Sequence, residues 1–311
     1  MIFNRKQLFS KFPWLKKRNL PMIISADYDG LICASFLHHH LNWNIEGYYD
    51  LNTIWISENG MKNKNDLIWV DLNILPVQGK ALGGHIISID GEIPLGFNSS
   101  CNPNILSGIT SKEFNKKFPF STLIYLLWIH NIEIKKDLMA RLLVLHSDSS
   151  WLKFQHYNNN CLDWQKKLSN YNWNWLFQKI NTKMFEKRID EILYPLLQKI
   201  NAVSSKSKLK SKYLGIKSKQ YQFNPDWDGD VILNLLYLYA KTLNWTPPQI
   251  PKIFHSIKGI RQGVPLSIVR NNGLIKYIKQ KNVFSYAIPS PRIFNFTSFD
   301  KHTISSLKKI I

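Results

Sequence analysis

The sequence predicts an α/β protein: a doubly wound, mostly parallel sheet, followed by a second domain that is basic and helical or α+β. Three observations carry this reading. From residue 22 to about residue 151, short apolar runs alternate with helix-forming stretches, the pattern of a layered α/β fold. Three of those runs end in aspartate, at Asp27 and Asp29, at Asp71 and at Asp90. Beyond Trp151 the composition shifts towards Trp, Asn and Lys and the alternation fades.

Residues 21–25 read as a buried strand, and 31–41 as the helix that follows it. Residues 53–56 and 66–70 read as short strands, the second running into Asp71. Residues 85–89 are expected as a further strand ending at Asp90. An apolar helix over 120–130 is entered through Pro119, and a second over 137–145 runs into His146-Ser147-Asp148. Downstream, 185–200 has amphipathic spacing, 231–243 is an apolar helix, and 245–251 is a proline-marked loop. The Ser/Lys run predicts a flexible segment over 203–219. The expected domains are 1–165 and 166–311.

A chain of 311 residues, 44% of them hydrophobic, is long enough to bury two cores. Its 41 Lys and Arg against 21 Asp and Glu leave a net charge of +20. That excess points to a polyanionic partner, since neutralising phosphates releases counterions. DNA or RNA is the expected partner; protein partners are not indicated. Cys33, Cys101 and Cys161 lie far apart, without metal-ligand spacing, as expected in a reducing compartment. No cleavable leader and no apolar run of about 18 residues is evident, so a cytoplasmic location is expected.

The chemistry centres on Ser25-Ala26-Asp27-Tyr28-Asp29-Gly30. Two carboxylates one residue apart, just past a strand, repel each other and favour a cation as third member. A solvated acidic turn capping the next helix is the plainer alternative. Further along stand Ile68-Trp69-Val70-Asp71, then Ile87-Ser88-Ile89-Asp90-Gly91-Glu92-Ile93-Pro94 with Asn102-Pro103 downstream, then Leu145-His146-Ser147-Asp148. In order and context, over about residues 20–150, these resemble the four motifs of the DHH phosphoesterase superfamily, which includes RecJ-type exonucleases and oligoribonucleases. The resemblance implies a DHH-like α/β domain and a metal-dependent phosphodiesterase or nuclease acting on nucleic acid or oligonucleotides. It implies Asp27, Asp29, Asp71 and Asp148 as ligands of Mn²⁺ or Mg²⁺. Asp90 and Glu92 are then the catalytic candidates, assisting at that site. Asn102, from the third motif, and Arg261 and Arg270, from the basic C-terminal half, are the candidates for holding substrate.

The departures from the family pattern matter equally. Ser25 stands where relatives carry His or Asp, and Gly91 and Glu92 replace a pair of histidines. Losing those ligands leaves a hard, all-oxygen set, and it opens an alternative: a catalytically inactive relative that binds nucleic acid or joins an assembly. His85 and His146 lie close to the motifs, and the plainer expectation for each is an imidazole without metal. A haloacid-dehalogenase-like phosphatase is a weaker third reading, because Gly229-Asp230 is followed by Asn234 where that family needs Asp. Asp226 to Asp230 lacks the terminal Glu of a calcium loop, and no Gly-x-x-x-x-Gly-Lys phosphate loop occurs.

Overall fold

The computed structural model describes residues 2–75, 79–204 and 209–300. Two compact units interleave along the chain. Of the described residues, one comprises those within 2–7, 26–40 and 119–248; the other comprises those within 8–25, 41–118 and 249–300. The expected flexible segment 203–219 includes residues 205–208, which lie outside the described residues; within its described part Lys210 and Lys217 form an isolated bridge.

The first unit is helical. Its labelled helices are α1 (Tyr28–Leu41), α2 (Thr122–His130), α3 (Leu138–His146), α4 (Ser150–His156), α5 (Asn158–Lys167), α6 (Lys183–Arg188), α7 (Tyr194–Lys199) and α8 (Gly229–Leu243). In α1, Tyr28 to Leu37 are all buried, as befits a helix that is apolar all round. Ser121 and Asp137 cap α2 and α3 by accepting bonds from Ile124 N and from Met139 and Ala140 N. Their side chains satisfy N–H groups that a helix start leaves without partners. The amphipathic 185–200 region is broken by a π-helical turn, Ile189–Leu193, between α6 and α7. Pro195, at the start of α7, has no N–H to donate, which accounts for the irregularity just before it.

The second unit holds all nine strands assigned among the described residues: β1 (Pro21–Ser25), β2 (Asn44–Tyr49), β3 (Thr53–Ser57), β4 (Ile68–Val70), β5 (Lys80–Leu82), β6 (Ile253–Lys258), β7 (Ile260–Pro265), β8 (Val283–Ser290) and β9 (Ile293–Ser298). It also holds α9 (Leu266–Asn272) and α10 (Leu274–Lys281). The larger sheet runs β5-β4-β1-β2-β3-β6. The β5-β4, β4-β1 and β1-β2 pairings are parallel, while β2-β3 and β3-β6 are antiparallel. The fold is therefore α/β with a mixed sheet, less uniformly parallel than expected. The reversal has a local cause: only residues 50–52 separate β2 from β3, too few for a parallel crossover. Asp50 Oδ1 closes that turn by accepting from Asn52 N and Thr53 N. β7, β9 and β8 form a small antiparallel sheet.

Tyr49, Trp69 and Phe284 meet edge to face in the core of this unit, with centroids 5.5–6.0 Å apart. The expected strand over 85–89 does not form. Gly83-Gly84 interrupt the chain after β5, and side-chain amides and isolated bridges stand in for a ladder: Asn104 Nδ2 donates to Gly84 O, Asn102 Nδ2 to Ile86 O, and Ser88 bridges to Thr110. Among the described residues no helix is long and apolar enough to cross a membrane.

Candidate metal centre

β1 and β4 lie side by side and parallel, with Ile24 opposite Val70. Their carboxyl ends thus bring Ser25 beside Asp71, where open α/β sheets hold ligands. Asp71 takes a left-handed turn (φ 59°) as the chain leaves β4. Its side chain is only 2% exposed. Ser25 Oγ donates to Asp71 Oδ2 at 2.7 Å, and His85 Nε2 lies 2.9 Å from Asp71 Oδ1. A buried carboxylate left unpaired costs several kcal/mol; here a hydroxyl and an imidazole meet it. The imidazole is 38% exposed, so it links the buried acid to the surface.

Gly84 makes that placement of His85 possible. A Cβ there would stand 2.5 Å from the Phe118 ring. Asn104, fully buried, holds the same loop by donating to Gly84 O while its Oδ1 accepts from Phe118 N.

In the helical unit Asp29 is buried within the first turn of α1. Its oxygens accept from Thr122 N (2.8 Å), Leu123 N (3.3 Å), Ser147 Oγ (2.5 Å) and Cys33 Sγ (3.4 Å). Thr122 and Leu123 open α2, so the carboxylate sits on a helix N-terminus, which favours its charge. Asp27 caps its own helix by accepting from Gly30 N at 3.0 Å. Asp148, at φ 47°, turns its carboxylate to Lys153. Its neighbour Ser147, not Asp148, is the residue bonded to Asp29.

His146 is fully buried, edge-on to Tyr28 at 4.8 Å. Burial pushes its pKa down to about 3, so the ring is neutral at ordinary pH.

The remaining candidates have local engagements. Asp90 and Gly91 both take positive φ, and Glu92 N bonds back to Ile89 O at 2.9 Å. This is a two-residue turn of the kind that Asp-Gly favours. Asp90 pairs with Arg270 and Lys112, each at 3.4 Å, and Arg270 also donates to Ser111 Oγ. Glu92 accepts from Ile275 N at the start of α10. Asn102, wholly buried, caps the short helix Pro103–Leu106. Arg261 is exposed on β7, opposite Thr297.

The structure thus gathers Ser25, Asp71 and His85 in the sheet unit, and Asp29 with Ser147 and Cys33 in the helical unit. Asp90 and Arg270 are joined with each other. His85 is the residue that sequence reasoning set aside, and Gly83-Gly84 just before it, breaking a strand pattern next to Asp71's strand, was the available signal. The chain has no match among models of known protein families, among curated proteins or among solved structures.

Proposed function

We propose that the chain is a DHH-like, metal-dependent phosphodiesterase acting on nucleic acid, with Asp71 and His85 of the sheet unit as ligands of a divalent cation. The observation that carries this reading is Asp71, buried at a strand end and bonded to a half-exposed imidazole. The two side chains offer a carboxylate oxygen and a ring nitrogen, 2.9 Å apart. That mixed set fits Mn²⁺ better than Mg²⁺, which prefers oxygen alone. When bound, such an ion would stabilise charge developing on the phosphoryl and leaving-group oxygens and lower the pKa of water. Ser25, by donating to one Asp71 oxygen, holds that carboxylate in orientation. His85 reaches from the buried acid to solvent, where a phosphodiester would enter. The charge of +20 supplies the long-range attraction for a polyanion.

The test is incubation with single-stranded DNA and RNA in Mn²⁺. Cleavage is expected, and Asp71→Asn is expected to lower it at least about a hundredfold, since losing even an outer-shell partner of a metal ligand costs about 10–100-fold. No cleavage by the parent protein overturns the enzymatic reading.

A second reading rests on its own observation. Asp148, a ligand position by resemblance, is ion-paired with Lys153, and Ser25 offers a donor where relatives offer a ligand. An inactive relative would bind nucleic acid in a salt-dependent manner without turnover and would show no Asp71-dependent uptake of Mn²⁺.

A further inference from the structure

The helical unit contains a cavity of about 530 Å³ that takes no part in the chemistry above. Arg141, Trp175, Lys179, Met184, Phe185 and Arg188 line it, and no carboxylate does. Among the described residues, none of its three cationic side chains has a salt bridge. Arg141 is 5% exposed. Its guanidinium is fixed from behind, Nε donating to Leu176 O at 2.9 Å and Nη2 to Gln178 O. It also lies 5.7 Å from the Trp175 ring centre and 5.4 Å from that of Phe185. Burial, with the charge of Arg188, lowers the Arg141 pKa to about 10. Two cations that raise each other's energy in a carboxylate-free hollow leave a place for an anion.

Two further features define the ligand. The indole N–H of Trp175 is buried and has no acceptor among the described residues, an unusual state for a buried donor. Lys179 holds a left-handed backbone (φ 54°), fixed by Thr182 Oγ1 donating to its carbonyl at 2.7 Å. Such strain in a residue other than glycine clusters at ligand sites. The volume lies within the range of about 300–1,000 Å³ typical of organic ligands, ample for more than a bare oxyanion. Aromatic walls with guanidinium and ammonium groups suit a flat ring joined to a phosphate.

We infer that this cavity binds a phosphate monoester carrying a planar aromatic ring, the chemistry of a nucleoside monophosphate, either free or at the end of a strand. The inference does not rest on the metal reading, and its test is run in EDTA to keep the two apart. The 311-residue chain is titrated calorimetrically with AMP, adenosine, inorganic phosphate and a 5′-phosphorylated oligonucleotide. AMP is expected to bind, with adenosine and inorganic phosphate each at least about tenfold weaker, because each lacks half of the recognised chemistry. Arg188→Glu, at an exposed position, is expected to weaken AMP binding by more than tenfold. Lys179→Gly removes the ammonium while relieving the backbone, so it folds at least as well and is expected to weaken AMP binding several-fold. Tighter binding of the oligonucleotide than of AMP, with the same sensitivity to both variants, assigns the site to a strand end; the reverse order assigns it to a free nucleotide. No binding of AMP at millimolar concentration, equal binding of inorganic phosphate and AMP, or AMP binding unchanged in both variants overturns the inference.

Discussion

At the scale of single residues, burial decides which ionisable groups can change charge. His146 sits against Tyr28 and Tyr194 with Gln220 beside it, and its folded pKa of about 3 lies far below the ordinary value of 6.5. His40 and His130 are likewise pushed down to about 4, mainly by burial. As pH falls below about 6.5, the unfolded chain takes up protons on these rings and the folded chain does not. Stability is therefore steady above that pH and declines below it, towards pH 4. A lower urea midpoint at pH 5 than at pH 7 is expected, and His146→Phe is expected to reduce that difference; an equal difference in the variant contradicts this assignment. The acids at strand ends were legible in the sequence because strand-ending carboxylates are local features. The engagements of Asp90 and Glu92 were not, since they depend on Arg270 and Ile275, some 180 residues away.

At the scale of elements, β1, β4 and the helices α1, α2, α3 and α8 were readable from apolar runs, caps and prolines. The 85–89 strand was misread because an apolar run states burial and not pairing. Its backbone is met by the amides of Asn102 and Asn104 at Ile86 and by isolated bridges at Ser88 and Ile89, which no periodicity reveals. β2 escaped notice because Gly47 interrupts its apolar pattern, yet that glycine is what permits the pairing with β3. A Cβ at position 47 would lie 2.2 Å from the carbonyl oxygen of Trp55, on the partner strand. Gly47→Ala is expected to destabilise the protein by about 3 kcal/mol, the upper part of the range for overpacking. Equilibrium denaturation checks it, and a change below about 1 kcal/mol would show that the β2–β3 pair yields readily.

At the scale of the whole molecule, two properties meet. The charge of +20 draws the chain to polyanions without specifying any reaction. The proposed chemistry depends instead on a small donor pair, Asp71 and His85, while Asp90, Asp148 and Glu92 are occupied with Lys112, Lys153, Arg270 and the start of α10. The sequence displayed the charge plainly and showed the acids as a series. It did not show that an imidazole would join Asp71, because that pairing is made by the fold of the loop after β5. Calorimetric titration of the metal-free protein with Mn²⁺ addresses the donor set directly. Saturable binding is expected, weakened at least about tenfold by His85→Ala and by Asp71→Asn, while Asp90→Asn leaves it unchanged. Mn²⁺ binding that is absent, or that survives both His85→Ala and Asp71→Asn, would contradict the proposed centre.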